Sequence, residues 1–337
     1  MRIGFDISQI AHPGGVATYT KSLAENLSKI KELEMVYFYS SLRRPFKGKL
    51  KGVKAFRLPP TLFEVLFNRV RNVPIEKFLG PLDIFHSSDW VQPPSKAKKV
   101  TTYHDVIPLK FPQWSHPKIV DVHKRRLKLV EKEIDMVIAV SESTKNDLLK
   151  LSNIPEEKIT VIYEGVGNNF KPRSKERIEE FKKKYKLPDE FILAIGGVGE
   201  RKNLKRIKQA SKGFDLVITG ETLSFIPDED MPLLYSAASI LLYPTLYEGF
   251  GLPVLESMAC GTPVVTSYNS SIPEIAGKAV LFAKEDDVED IKKRIEQAMD
   301  NGWRKDLIKE GLKQAAKFSW EKTAKETAEV YRKVLKG

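Results

Sequence analysis

Short apolar runs recur along the chain, and each is followed by a stretch with helical spacing. RIGFDIS (2–8), MVYFYS (35–40), KAFRL (54–58), DIFHSS (83–88), KVTTYH (99–104), MVIAVS (136–141) and ITVIYE (159–164) form one series. FILAIGG (191–197), DLVITG (215–220), SILLYP (239–244), PVVTS (263–267) and AVLF (279–282) form a second. Several are near-continuous runs rich in Val and Ile rather than alternating ones. That is the pattern of parallel strands covered on both faces. Strands alternating with helices predict βαβ units and an α/β fold. No period of 20–50 residues repeats, which argues against a solenoid. Residues 166–188 are polar and charged, with Pro172 and Pro188 near the ends, and read as a linker with an exposed helix. The expected architecture is two doubly wound, Rossmann-like domains facing across a cleft. Ligands are expected beyond the carboxyl ends of the strands.

Length agrees with two domains, since 337 residues is about twice a typical one. With 42% hydrophobic residues, global disorder is excluded. No apolar run approaches the ~18 residues of a membrane span. The start, MRIGFDIS, reads as a strand rather than a signal peptide. The single cysteine, Cys260, cannot make an internal disulfide, so the expected location is cytoplasmic. Net charge is +12 and uneven: residues 1–170 hold 27 Lys and Arg against 18 Asp and Glu, the remainder 29 against 26. A basic first half suits an anionic membrane surface, nucleic acid or an acidic substrate. The densest run, His123 to Glu133, reads as a solvated helix face. Its basic residues are not interleaved with aromatic stacking platforms, so nucleic acid is not expected as a partner.

The most informative segment runs from Leu241 to Ser267, LLYPTLYEGFGLPVLESMACGTPVVTS. A strand ends near Pro244, and a loop follows with Glu248, Gly249, Phe250 and Gly251. Pro253 suits a first helical turn and Gly261 a helix stop. Gly251, Leu252 and Pro253 then sit at a helix N-terminus, where free amides and the dipole attract an anion. Glycines let a phosphate approach the backbone closely. Glu248, before the helix, and Glu256, expected in its first turn, are placed to accept from hydroxyl groups. An anion site flanked by two hydroxyl acceptors suits a nucleoside-diphosphate sugar.

Within EGFGLPVLESMACGTPVV, the Glu-x7-Glu spacing of Glu248 and Glu256 resembles the donor-site signature of retaining GT-B glycosyltransferases of family 4. The resemblance implies that Glu248 contacts the donor sugar and Glu256 the ribose hydroxyls. Other segments agree in order along the chain. Pro13, Gly14 and Gly15 follow the first strand and open a helix; they read either as a plain turn or, by resemblance, as the glycine loop that reaches the substrates. His104 and Asp105 end a strand at the position of the family's His-Asp pair, which places His104 beside the donor sugar. His12, His86, His116 and His123 have no comparable support. Val140 to Val166 matches the end of the family's first domain, with Ser141 expected to cap a helix and Glu164 and Gly165 expected near the cleft. Arg201 and Lys202 follow the first strand of the second half, where cations would neutralise a leaving diphosphate. Many family members have Gly-Arg where this chain has Gly196-Gly197, so Lys202 carries over more directly than Arg201.

The resemblance implies three parts: an acceptor-side domain over 1–168, a nucleotide-sugar domain over 169–318, and a terminal helix, 319–337, crossing back to the first. Between Gly220 and Ala237 the family carries a longer stretch, so the second domain is expected to be unusually short. Asp228, Glu229 and Asp230 are read as N-terminal capping of a helix and not as a metal site. The implied reaction is metal-independent, retaining transfer of a hexose from a nucleoside-diphosphate sugar to a glycan or lipid-linked acceptor. The strings HDVIPL and RKNL are most like mannosyltransferases, which favours GDP-mannose over UDP-glucose. The setting implied is polysaccharide or lipopolysaccharide biosynthesis, in the cytoplasm or peripheral on the inner face of a membrane. The rival readings are a non-catalytic sugar-nucleotide-binding protein and a sugar-nucleotide epimerase on the same fold. A phosphorylase would need a lysine site for its cofactor, and the sequence has no such motif.

Overall fold

Each of the twelve apolar runs overlaps a strand, and every pairing between strands is parallel. This is a computed structural model, and it describes all residues except 198 and 225. The chain divides into two units: Met1–Gly165 with Trp320–Gly337, and Val166–Ser319.

The first unit contains β1 (Arg2–Asp6), β2 (Glu34–Ser40), β3 (Val53–Phe56), β4 (Ile84–Ser87), β5 (Lys98–Tyr103), β6 (Met136–Ala139) and β7 (Ile159–Val161). Their order in the sheet is β3-β2-β1-β4-β5-β6-β7. The order reverses between β1 and β4, which opens a crevice at their carboxyl ends. Apolar clusters build the core. One gathers Phe38, Phe63, Phe67 and Phe85, and another Val130, Val137, Leu148 and Ile159. The terminal helix Trp320–Lys336 packs here, against the helix Gly15–Leu27 and β5. Its buried Tyr331 hydroxyl lies 2.7 Å from His86 Nδ1.

The second unit contains β8 (Ile192–Ala194), β9 (Leu216–Ile218), β10 (Ile240–Tyr243), β11 (Val264–Ser267) and β12 (Leu281–Ala283), in the order β12-β11-β10-β8-β9. Its switch point lies between β8 and β10. Ile192, Ile207, Ile240, Leu242, Val265, Ile291 and Ile295 are all buried in its core. Truncating one of these to Ala is expected to cost about 2–5 kcal/mol. Between β9 and β10 the only helix among the described residues is Met231–Ala237, matching the short connection expected there.

Local expectations met different outcomes. Ser141 does cap its helix, accepting from Thr144 N at 3.0 Å. Asp230 stands at a cap position, but its side chain caps nothing. Its Oδ2 accepts from Lys184 Nζ at 2.7 Å and Tyr185 OH at 2.6 Å, so it ties two helices together instead. The basic run His123–Glu133 is not a solvated face throughout. Arg126 is fully buried, lies 4.3 Å from the Tyr103 ring centroid and donates to Thr101 Oγ1, while Arg125 is paired with Glu64 and Glu133 with Arg71. No helix among the described residues is long and apolar enough to cross a membrane.

Candidate active site

In the second unit, the loops after β8 and β10 flank the switch point, and they hold the sequence-predicted cations and carboxylate. After β8 the chain makes a tight turn, Glu200–Lys202, and Asn203 adopts a left-handed conformation (φ 56°) that starts the helix Leu204–Ala210. The buried Asn203 amide donates to Pro244 O at 2.8 Å and Glu285 O at 2.7 Å. One side chain thus ties together the loops that follow β8, β10 and β12.

These constraints bring Arg201, Lys202 and Glu248 together. Arg201 Nη1 donates to Glu248 Oε1 at 2.5 Å, and Lys202 Nζ reaches the same oxygen at 3.1 Å. A third donor, the Tyr243 hydroxyl, is 2.8 Å away. Lys202 Nζ also hydrogen-bonds the Tyr243 hydroxyl and stands 4.6 Å from its ring centroid. Burial lowers the Lys202 pKa, and Arg201 adds to the shift while Glu248 opposes it. Burial and the neighbouring Glu248 hold the Tyr243 hydroxyl well above the usual phenol range, so it stays a neutral donor. Two cations thus converge on one carboxylate oxygen.

Glu248 is followed by Gly249, Phe250 and Gly251 at the start of the helix Leu252–Ala259. Gly251 has φ 103°, and a Cβ on it would meet Ile272 Cδ1 at 2.6 Å. No side chain caps this helix and no acid lies in its first turn, which leaves its N-terminal end electropositive. Ser271 Oγ donates to Glu248 O and Phe250 O, and Glu248 N donates to Ser270 Oγ, so the loop is pinned on its outer side. Glu256 is the fifth residue of the helix, one turn further in than expected. The buried Tyr235 hydroxyl donates to its Oε2 at 2.8 Å.

In the first unit, Gly14 (φ 138°) precedes the helix Gly15–Leu27, and nothing lies within 4 Å of a Cβ built on it. His104 follows β5. Its Nδ1 is 3.2 Å from Glu164 Oε1, and the Tyr19 ring meets it edge-on at 4.5 Å. Burial opposes charge on His104, but the hydrogen bond and charge of Glu164, with Asp89 and Asp105, outweigh it and raise its pKa. His86 is the opposite case: burial pushes it down to about 3, with the charges of His104 and Arg126 adding to the shift, so it stays neutral between Tyr331 and Thr102. A small cavity opens here, lined by Asp6, Gln9, Ser88, Asp89, His86 and His104 among others. Gln9 Nε2 donates to Asp89 Oδ1 at 2.8 Å.

The sequence reading did not single out Tyr243, Asp6 or Asp89 and gave Asn203 no role. Each is chemically ordinary and gains its place only because the fold brings another loop to it. The His104–Glu164 pair is only partly legible in the sequence, since its partners lie 60 residues apart. Among the described residues, no group of three or more His, Cys, Asp or Glu is arranged to hold a metal ion.

Residues 145–314 match the family model described as Glycosyl transferases group 1, and residues 13–168 match Glycosyltransferase Family 4. The chain belongs to the glycosyl transferases group 1 family. This glycosyltransferase is 32% identical to O-antigen chain mannosyltransferase B of Escherichia coli, over 74% of each chain. It is 31% identical to a serotype-specific mannosyltransferase, WbdA, of the same organism. That match takes in 67% of this chain but only 32% of the longer relative. Its fold is GT-B. HepE of Anabaena, solved in complex with UDP and glucose, superposes with a TM-score of 0.74 at 16% identity, covering 99% of this chain and 100% of that one.

Proposed function

We propose that this glycosyltransferase moves a mannosyl unit from GDP-mannose to a hydroxyl of a glycan or lipid-linked glycan, with retention at the anomeric carbon. Residues 169–318 bind the donor and 1–168 the acceptor side. The observation that carries the reading is the convergence of Arg201 and Lys202 on Glu248, beside a helix start with no side-chain cap.

Each group has a role in the bond changes. The acceptor oxygen bonds to the anomeric carbon as the bond from that carbon to the β-phosphate oxygen breaks. The departing phosphate oxygen takes the acceptor's proton. Lys202, Arg201 and the amides at Gly251 and Leu252 stabilise the charge that develops on the leaving diphosphate. Two cations and a helix end supply that stabilisation without a metal ion. In the second unit Glu248 holds sugar hydroxyls, Glu256 holds the ribose, and Gly249 and Phe250 shape the backbone around the donor; in the first unit His104 hydrogen-bonds a sugar hydroxyl, and Gly14 and Gly15 leave backbone open to substrate.

Mannose is favoured because the two Escherichia coli relatives named above are mannosyltransferases; UDP-glucose is the competing donor. The test is thermal stabilisation by GDP, UDP, ADP and their sugars without metal. A ligand that binds only the folded state raises the melting temperature with occupancy. GDP and GDP-mannose should give the largest shifts, and Lys202→Ala should remove them. A UDP-only response would replace the donor. No response to any diphosphate would overturn the donor site. Conversion of the sugar nucleotide without an acceptor would point instead to an epimerase.

A further inference from the structure

The positive charge of the first unit is concentrated in one segment. Residues 42–71 hold nine Lys and Arg against a single acid, Glu64, a net +8 in a chain of net +12. Glu64 is buried and already engaged by Arg69 and Arg125. Arg71 is paired with Glu133, and Arg44 donates to Ala11 O. The other six, Arg43, Lys47, Lys49, Lys51, Lys54 and Arg57, are exposed. None of these six makes an ion pair among the described residues.

The same segment carries half of the large exposed apolar side chains among the described residues. Leu42 is 56% exposed, Leu58 36%, Leu62 45%, Val65 40% and Val70 54%. Leu62 and Val65 are three residues apart on the helical run Pro60–Val70 and share a face. The start and the middle of the segment are tied to the carboxyl end of β2. Ser41 N donates to Phe56 O at 3.2 Å, Ser40 Oγ to Leu58 O at 2.8 Å, and Tyr39 OH to Arg44 O at 2.6 Å. Leu42, Arg43, Arg57 and Leu58 therefore sit close together, next to the turn Ser8–Ala11, whose Gln9 lines the cavity.

Protection of a sheet edge accounts for a lysine on β3 but not for leucines and valines facing water beside it. Aliphatic side chains do not stack bases, and a second copy would bring two +8 faces together. Cations interleaved with exposed aliphatics match an anionic bilayer, which offers phosphates at its surface and hydrocarbon a few ångströms below. We propose that this face docks the protein on an anionic membrane, with Leu42, Leu58, Leu62 and Val65 entering the headgroup boundary and the six cations lying among lipid phosphates. The proposal does not depend on which nucleotide or sugar is used. If the acceptor is lipid-linked, as proposed above, docking would bring the cavity near it.

The test is co-sedimentation with phosphatidylcholine vesicles, with and without phosphatidylglycerol. The protein should pellet only with the anionic vesicles, and less at high salt. Changing Arg43, Lys47, Lys49 and Lys51 to Gln should lower partitioning on the order of a thousandfold at low salt. Leu62→Ser with Val65→Ser should lower it about tenfold and leave the salt dependence in place. Cys260 is buried, so an environment-sensitive dye on Leu62→Cys can be placed selectively, and its emission should shift blue with anionic vesicles alone. Unchanged melting temperatures would show that the variants fold. The proposal is overturned if the wild type stays in the supernatant, if the four-Gln variant pellets like it, or if the protein prefers RNA or DNA to vesicles. None of these outcomes alters the nucleotide melting shifts, so the donor site is judged separately.

Discussion

At the crevice between β8 and β10, Arg201 and Lys202 close on one carboxylate, Glu248. In the other unit, near the crevice between β1 and β4, Glu164 holds one imidazole, His104, with Asp89 acting on it through its charge; Asp6 and Asp89 line the cavity beside it. The two switch points share a topology, yet their charge is reversed. Two cations meet one carboxylate at Glu248, with Glu256 one turn into the next helix, and several carboxylates act on one imidazole at His104. Under the proposed function, the difference suits different ligands on similar scaffolds: an anion such as a diphosphate in the second unit, and uncharged hydroxyl groups in the first.

The largest effect expected is at the cationic cluster. Lys202→Ala should lower kcat/KM by about 10²–10³, because a preorganised charge at the leaving group is lost. It should also weaken diphosphate binding in calorimetry. Glu248→Gln should lower turnover while keeping diphosphate binding, since both cations remain. If the two variants had the same binding profile, the division of roles within the cluster would fail.

Glycine replacements sharpen the comparison at the helix starts. Gly14→Ala and Gly251→Ala both force a side chain into backbone conformations that favour glycine, at about 1–3 kcal/mol each. Only Gly251→Ala also drives a Cβ against Ile272, so it should be the more destabilised in urea unfolding by roughly 1–3 kcal/mol. Equal losses would mean that Ile272 moves aside freely.

The strands were legible because parallel strands covered on both faces must be apolar along their length, and few other elements make such runs. Arg201, Lys202 and Glu248 were legible because they lie in contiguous motifs. Tyr243 was hidden because it reads as one more apolar residue at the end of ILLY, and its hydroxyl matters only once Glu248 folds back on it. Asn203 sits in the string RKNL, but its two acceptors lie 41 and 82 residues away. Asp230 misled because an acid before a helix usually caps it, while here a neighbouring helix supplies stronger donors.

The acidic pocket makes a pH prediction. The pKa values of His104 and Glu164 are both raised in the fold. Burial raises Glu164, against the pull of His104. A raised pKa means that the folded state holds the proton more tightly than the unfolded chain. Each contribution is therefore complete below the unfolded pKa, 4.5 for Glu164 and 6.5 for His104, and is lost as pH rises through the folded value. The melting temperature should fall as pH rises above 6.5 towards the folded His104 value and beyond it. Glu164→Gln should flatten that dependence, and NMR should show the His104 titration moving to lower pH. An unmoved titration would mean that Glu164 does not set the charge of the imidazole.

Tyr243→Phe should have the smallest effect. The variant keeps the ring under Lys202 and removes only the hydroxyl. Glu248 Oε1 then loses one of three donors but keeps Arg201 at 2.5 Å and Lys202 at 3.1 Å. A neutral hydrogen bond with charged alternatives nearby contributes about 1 kcal/mol, so turnover should fall roughly fivefold. The loss should appear in kcat more than in diphosphate affinity, since the hydroxyl orients the carboxylate that faces the sugar and not the cations' charge. A loss confined to diphosphate affinity would instead assign the hydroxyl to Lys202. It would also make the cluster one unit for anion binding, rather than a pair of cations and a separately held carboxylate.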